Sequence, residues 1–72
     1  MNYEKFYFAY DGPVMSFGKV RENRWTYYTK ASTIAEALNN LSFNYKRINQ
    51  LSKNFKIELD KKYLTVTGKE KK

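Results

Sequence analysis

Neither cysteine nor histidine occurs among the 72 residues, and there are only three glycines and one proline. Without cysteine no disulfide can brace the chain and no thiol can serve as a nucleophile. Small secreted domains usually carry several bridges, so their absence predicts a reducing, cytoplasmic setting. Without histidine the commonest general base and metal ligand is missing. The seven carboxylates, Glu4, Asp11, Glu22, Glu36, Glu58, Asp60 and Glu70, stand singly among lysines, so no metal site and no cofactor is expected. Gly12, Gly18 and Gly68 lie too far apart to form a phosphate-cradling loop. Long apolar runs are absent too. Residues 1–10 are interrupted by Glu4 and Lys5, which predicts no signal peptide, and nothing approaches the ~20 apolar residues of a membrane span. A tyrosine nucleophile would need electrophilic partners that so short a chain has little room to assemble. The expectation is a soluble protein that is not an enzyme.

What the chain has in quantity is aromatic rings and positive charge. Five Phe, seven Tyr and one Trp make up 18% of the residues. A single small domain buries only ~60% of its unfolded surface, and buried rings, each removing roughly 150–250 Å² from water, can compensate for that. Fourteen Lys and Arg against seven Asp and Glu give a net charge of +7. Residues 69–72 contribute three lysines and one glutamate, and the remaining excess is dispersed over residues 1–68. A basic balance raises encounter rates with polyanions without saying anything about fold.

Residues 3–10 alternate, with Phe6, Phe8 and Tyr10 on one side and Lys5, Tyr7 and Ala9 on the other. This period-two pattern predicts a half-buried strand. Asp11-Gly12 is a preferred hairpin pair, and Pro13 can open a strand but not donate within one. Residues 14–21 read as a second strand with Gly18 as a bulge. Glu22-Asn23 reads as a second turn, and residues 24–30 as a third strand. The period then lengthens. Thr33 and Glu36 fit a capping box, and Ile34, Leu38, Leu41, Tyr45 and Ile48 form one stripe of a helix, widened by Ala37 and Leu51 and ending near Lys53. Phe55, Ile57 and Leu59 alternate as a strand, Asp60-Lys61-Lys62 turns, and residues 63–67 form a last strand closed by Gly68.

Two faces are candidates for binding. On the expected third strand Arg24, Tyr28 and Lys30 share a side opposite Trp25 and Tyr27. If Trp25 and Tyr27 pack on the helix, the first set faces outward beside Lys5 and Tyr7, and Lys19 and Arg21 could join it. Basic sheet surfaces with aromatics lie in DNA grooves or stack on unpaired bases, while the same residues also serve merely to keep exposed sheet soluble. On the helix, Glu36, Asn39, Asn40, Phe43, Lys46, Arg47 and Gln50 fall on the side away from Leu41. Amides and bases read base edges and hold phosphates, or simply solvate a helix. Phe43 among them is either covered by the C-terminal strands or offered to a partner.

Tyr10-Asp11-Gly12-Pro13-Val14-Met15-Ser16-Phe17-Gly18-Lys19, then Trp25, Thr29-Lys30-Ala31-Ser32, Asn40-Leu41 and Tyr45-Lys46, form a pattern over residues 10–46. It resembles small proteins of bacteriophages and integrative elements of Gram-positive bacteria. The resemblance implies a mobile-element accessory protein and brings no catalytic signature. A three-stranded sheet followed by a helix is also similar, at the level of fold, to the arm-type DNA-binding domains of integrases.

The expected architecture is α+β, in the order β-β-β-α-β-β. A three-stranded N-terminal meander and a C-terminal hairpin make an antiparallel sheet, with the helix of residues 34–51 across one face. Residues 1–68 form one domain and 69–72 a disordered basic tail. The expected core is the helix stripe with Phe6, Phe8, Phe17, Trp25, Phe55, Ile57, Leu64 and Val66. The expected function is nucleic-acid binding, DNA ahead of RNA, through Arg24, Tyr28 and Lys30 with Lys46 and Arg47 as a second cluster. The alternative is a protein-interaction module that meets a host protein through Phe43. Self-association through an unprotected strand edge is a third possibility.

Overall fold

The computed structural model describes residues 5–69; the expected strand start at Tyr3 and the tail residues 70–72 lie outside them. Among the described residues the elements are β1 (Phe6–Ser16), β2 (Lys19–Ala31), α1 (Ile34–Ile48), a 3-10 turn (Lys61–Tyr63) and β3 (Leu64–Lys69). The chain is α+β, with one helix and a three-stranded antiparallel sheet in the order β2-β1-β3. β1 is therefore central. β2 and β3 are both antiparallel to it, so they run parallel to each other on either side, joined through α1.

The N-terminal half is one long hairpin rather than the expected meander. Asp11-Gly12 does not turn: both residues lie inside β1, opposite Thr26 and Trp25. A tight turn there is outcompeted by packing, because the Tyr63 ring lies directly on Gly12. A Cβ at Gly12 would sit 2.7 Å from Tyr63 Cβ and closer still to Cγ. The chain reverses instead at Phe17-Gly18, where φ is 53° and 77°. Positive φ at both central residues is what a two-residue type I′ turn requires, and Ser16↔Lys19 is the pair that closes it. Gly18 is thus a turn residue and not a bulge. Glu22-Asn23 lies within β2. Pairing steps from Gly12↔Trp25 to Val14↔Glu22 to Met15↔Val20, so β2 carries one extra residue at each step. These bulges fall beside Pro13, which has no N–H to give to the ladder.

The C-terminal half also departs from expectation. Residues 55–59 form no strand; their one backbone bridge to the sheet among the described residues is Met15↔Glu58, whose two bonds measure 3.0 and 2.8 Å. The buried Tyr10 hydroxyl explains this path: it donates to the Pro13 carbonyl (2.7 Å) and accepts the Asp60 N–H (3.2 Å). That clamp carries the chain across the end of β1 instead of along it. Asp60 then caps the 3-10 turn by accepting the Lys62 N–H at 3.0 Å. From there β3 pairs with β1 from Tyr10↔Leu64 to Phe6↔Lys69. No C-terminal hairpin forms among the described residues, and Lys69 belongs to a strand, not to the expected tail.

The helix starts where the sequence predicts. Thr33 Oγ1 accepts the Glu36 N–H at 3.0 Å, while the Glu36 carboxylate reaches back to the Ser32 N–H at 2.7 Å, one residue earlier than a capping box requires. It stops at Ile48, short of the expected Leu51. Gln50 adopts φ 57°, and the Leu51 and Gln50 N–H groups return to the Lys46 and Arg47 carbonyls at 2.8 and 3.2 Å. This is a Schellman closure with glutamine in the left-handed position that usually takes glycine.

The helix packs chiefly over β2. Trp25 meets Tyr45 edge-on at 5.0 Å and Tyr10 at 6.3 Å, with Tyr63 on Tyr10's other side at 6.3 Å. The buried set is Phe8, Tyr10, Val14, Ala31, Ala37, Leu41 and Tyr45. Four expected core residues, Phe17, Ile34, Ile48 and Val66, are instead about half exposed or more. Phe17 sits on the turn, Ile34 and Ile48 are the terminal residues of the helix, and Val66 is on the edge strand away from it. Among the described residues no helix is long and apolar enough to cross a membrane.

Two stability predictions follow from the clamp and the helix stop. Tyr10→Phe strands the Asp60 N–H and the Pro13 carbonyl, and denaturant titration should show a loss of about 1–3 kcal/mol. Burial also holds the Tyr10 phenol above its ordinary pKa. The native chain therefore keeps a proton that the unfolded chain releases near pH 10. Its stabilisation is complete below that pH and is lost as pH rises through the raised folded value; Tyr10→Phe should flatten that part of the alkaline profile. Gln50→Gly should raise stability by about 1 kcal/mol, read as a melting temperature higher by roughly 4–8 °C.

Candidate nucleic-acid interface

Alternation along β2 places Trp25 and Tyr27 towards α1 and Arg24, Tyr28 and Lys30 on the opposite, uncovered face of the sheet. Register sets Tyr7 beside Lys30, Ala9 beside Tyr28 and Asp11 beside Thr26 on the same face. Lys5 does not join them; its ammonium turns to Glu36 on the helix at 3.5 Å. Tyr28 is 66% exposed. Arg24, however, is engaged. Its Nε and Nη2 donate to the two Asp11 oxygens at 2.6 and 2.8 Å, a planar fork-to-fork pairing. The Arg24 bond holds the Asp11 carboxyl below its ordinary pKa, and Asp11 in turn raises that of Arg24. The expected phosphate contact is thus a charge-compensated pair.

Lys46 and Arg47 lie in the last turn of α1, in the layer on the other side of the sheet. The structure therefore does not join the two expected clusters into one site. Arg47 donates to Asn44 Oδ1 at 2.7 Å, and the Lys46 ammonium to the Lys53 carbonyl at 3.0 Å. Positive side chains suit this end, where the helix dipole is negative. Phe43, one turn earlier, is 60% exposed; the C-terminal strand does not cover it.

Lys46 leads to a grouping that sequence reading did not assemble. The loop after α1 brings Lys53 and Phe55 to the β1–β2 turn. Phe55 meets Phe17 edge-on at 5.5 Å, and the Arg21 guanidinium lies 5.0 Å from the Phe55 ring centre and 5.9 Å from that of Tyr45. Arg21 Nε donates to the Tyr45 hydroxyl at 3.4 Å, and Ser16 Oγ fastens the same loop by donating to the Lys56 carbonyl at 2.7 Å. Two rings thus hold one guanidinium in place. Arg21 faces the helix side, so it does not join the open sheet face.

Charge pairing separates this end from the rest. Glu36, Asp11, Asp60 and Glu58 take Lys5, Arg24, Lys62 and Lys56 respectively. Among the described residues, Lys19, Arg21, Lys46, Arg47, Lys53 and Lys61 are in no ion pair. Lys19 and Arg21 open β2, Lys46 and Arg47 close α1, Lys53 follows in the loop, and Lys61 lies apart in the 3-10 turn. The carboxylate Glu22, also in no ion pair, follows Arg21 in β2. Nearby, a groove of about 420 Å³ is lined by Met15, Leu38, Glu58, Leu59, Asp60 and Lys61. Its two carboxylates are those engaged with Lys56 and Lys62, and no group of three or more potential metal ligands gathers among the described residues. No family model, curated protein or solved structure matches the chain.

Phe17 is a bulky residue at a left-handed position where asparagine or glycine is favoured, a conformation that costs on the order of 1 kcal/mol. Phe17→Asn should accordingly keep the fold and raise its stability by about 0.5–1 kcal/mol in chemical denaturation. A destabilised variant would instead mean that the Phe17–Phe55 contact outweighs the turn strain.

Proposed function

We propose that the chain is a non-enzymatic nucleic-acid-binding module, and that the end bearing Lys19, Arg21, Lys46, Arg47 and Lys53 makes the main phosphate contacts. The observation that supports this reading is the separation of charge. Asp11, Glu36, Glu58 and Asp60 are matched to neighbouring cations, whereas these five cations are in no ion pair and outnumber the one carboxylate in the same stretch of β2, Glu22. Such an excess attracts a polyanion and releases its condensed counterions on contact. Tyr28 and Lys30 on the open sheet face are a secondary surface in this reading, weakened by the Arg24–Asp11 pair.

Fluorescence anisotropy with labelled duplex and single-stranded oligonucleotides over a salt series tests it. The logarithm of affinity should fall linearly with that of salt, by roughly 0.7–0.9 for each phosphate engaged. Reversing Lys19, Arg47 and Lys53 together to Glu should reduce that slope by about two to three units, while Lys30→Glu should change it by one at most. Absence of binding to every oligonucleotide at low salt would falsify the proposal.

A second reading rests on Phe43, whose ring stands in solvent between Asn39, Asn40, Lys46 and Arg47. A protein partner anchored there would remain bound at high salt and would be lost on Phe43→Ser, since burial of a ring is insensitive to screening.

A further inference from the structure

Phe17 is unusual twice over. Its backbone has φ 53° and its ring is 65% exposed. A type I′ turn gains nothing from a phenylalanine at this position, and the hydrophobic effect gains little from a ring left largely in water. Ser16 and Lys19 close the turn beneath it, so the ring projects from the tip of the β1–β2 hairpin. It is also not adrift. Phe55 supports it edge-on at 5.5 Å, and Arg21 lies against Phe55 at 5.0 Å. Lys56, the next residue after this support, is tied to Ser16 through its carbonyl. Among the described residues Arg21 has one hydrogen bond, from Nε, and its terminal amino groups have none.

Resting on the nucleic-acid reading above, we infer that Phe17, backed by Phe55 and Arg21, is a base-stacking platform, and that the module takes unpaired nucleotides in preference to duplex. The chemistry is that of single-strand recognition. A ring offers its face to a base of any identity, and cations beside it track the phosphates. Lys19 and Arg21 follow the ring along β2, and Lys53 lies two residues before Phe55 in the loop. In a duplex the base faces are already stacked on one another, so Phe17 would have nothing to cover without unstacking a step. Stacking is indifferent to the sugar, so the platform accepts DNA and RNA single strands alike. The cations supply affinity that salt removes, and Phe17 supplies affinity that it does not.

The test compares four probes on the full chain by anisotropy at one salt concentration. These are oligothymidylate about twelve nucleotides long, an abasic strand of the same length, a duplex of equal length and poly-glutamate of similar charge. Oligothymidylate should bind about tenfold tighter than the abasic strand or the duplex, with poly-glutamate weakest. Phe17→Asn, which suits the turn and keeps the fold, should abolish that advantage while leaving abasic binding and the salt slope unchanged. Equal binding of thymidylate and abasic strands, or an undiminished thymidylate affinity in Phe17→Asn, overturns the platform and leaves the nucleic-acid reading intact. Poly-glutamate binding as tightly as thymidylate overturns it in favour of an acidic protein partner. If no nucleic acid binds the wild-type chain, both fall together.

Discussion

The Tyr10 hydroxyl is the point on which the two halves of the chain depend. Among the described residues β1 is the one strand with a neighbour on each side, and Tyr10 sits near its middle, fully buried, with Trp25 and Tyr63 against its ring. A buried phenol must satisfy its oxygen or lose the gain of burial. Here it does so with one group from each half, the Pro13 carbonyl and the Asp60 N–H. Gly12 completes the joint by leaving room for Tyr63. The consequences spread outward. Because residues 58–60 are held at the end of β1, the loop leaving α1 must run past the hairpin turn, and Phe55 arrives beside Phe17 and Arg21. A hydrogen bond in the core thus places the aromatic support at the surface.

The parts of this fold that were legible in the sequence are those settled by neighbours in sequence. Thr33 and Glu36 mark the helix start because a cap is a bond across three residues, and Leu41 and Tyr45 face the core because 3.6-residue periodicity says so. Strand parity was equally readable: Phe8 and Tyr10 are buried, and Trp25 and Tyr27 do turn to the helix. The reversals were not. Asp11-Gly12 carries the stronger local turn signal, yet a ring 51 residues away in sequence from Gly12 covers it, and Phe17-Gly18 turns against the preference of phenylalanine. The stop at Gln50 was hidden for the same reason, since glutamine carries none of glycine's signal for a left-handed residue. Turns expected at Asp11-Gly12 and Glu22-Asn23, in place of the one at Phe17-Gly18, split two long strands into three short ones.

The candidate site was legible in its types and not in its grouping. Arg24 and Lys46 look alike in sequence, as basic residues on amphipathic elements. Register separates them: Asp11 pairs with Thr26, two residues along β2 from Arg24 on the same face, and takes its guanidinium, whereas Lys46 meets a backbone carbonyl and keeps its charge. Cross-strand pairs within a hairpin place acids beside bases by default, so a dispersed basic excess is trimmed wherever the sheet is regular. The excess survives where pairing ends, at the turn, the helix terminus and the loop. That is why Lys19, Arg21, Arg47 and Lys53, scattered over the sequence, share one end of the molecule.

Strain points to the same end. Among the described residues, Phe17 and Gln50 are the non-glycine positions with positive φ; one forms the hairpin turn and the other closes the helix beside the unpaired cations. Substitutions that relieve such positions are a single residue change away, and each conformation costs on the order of 1 kcal/mol in a domain whose whole stability is about 5–15. Like-charged side chains held outside any ion pair add a further repulsive cost. A surface selected only for folding would relieve both. The ligand proposed above would offset both: its negative charge would meet the cations and its flat bases the exposed Phe17 ring.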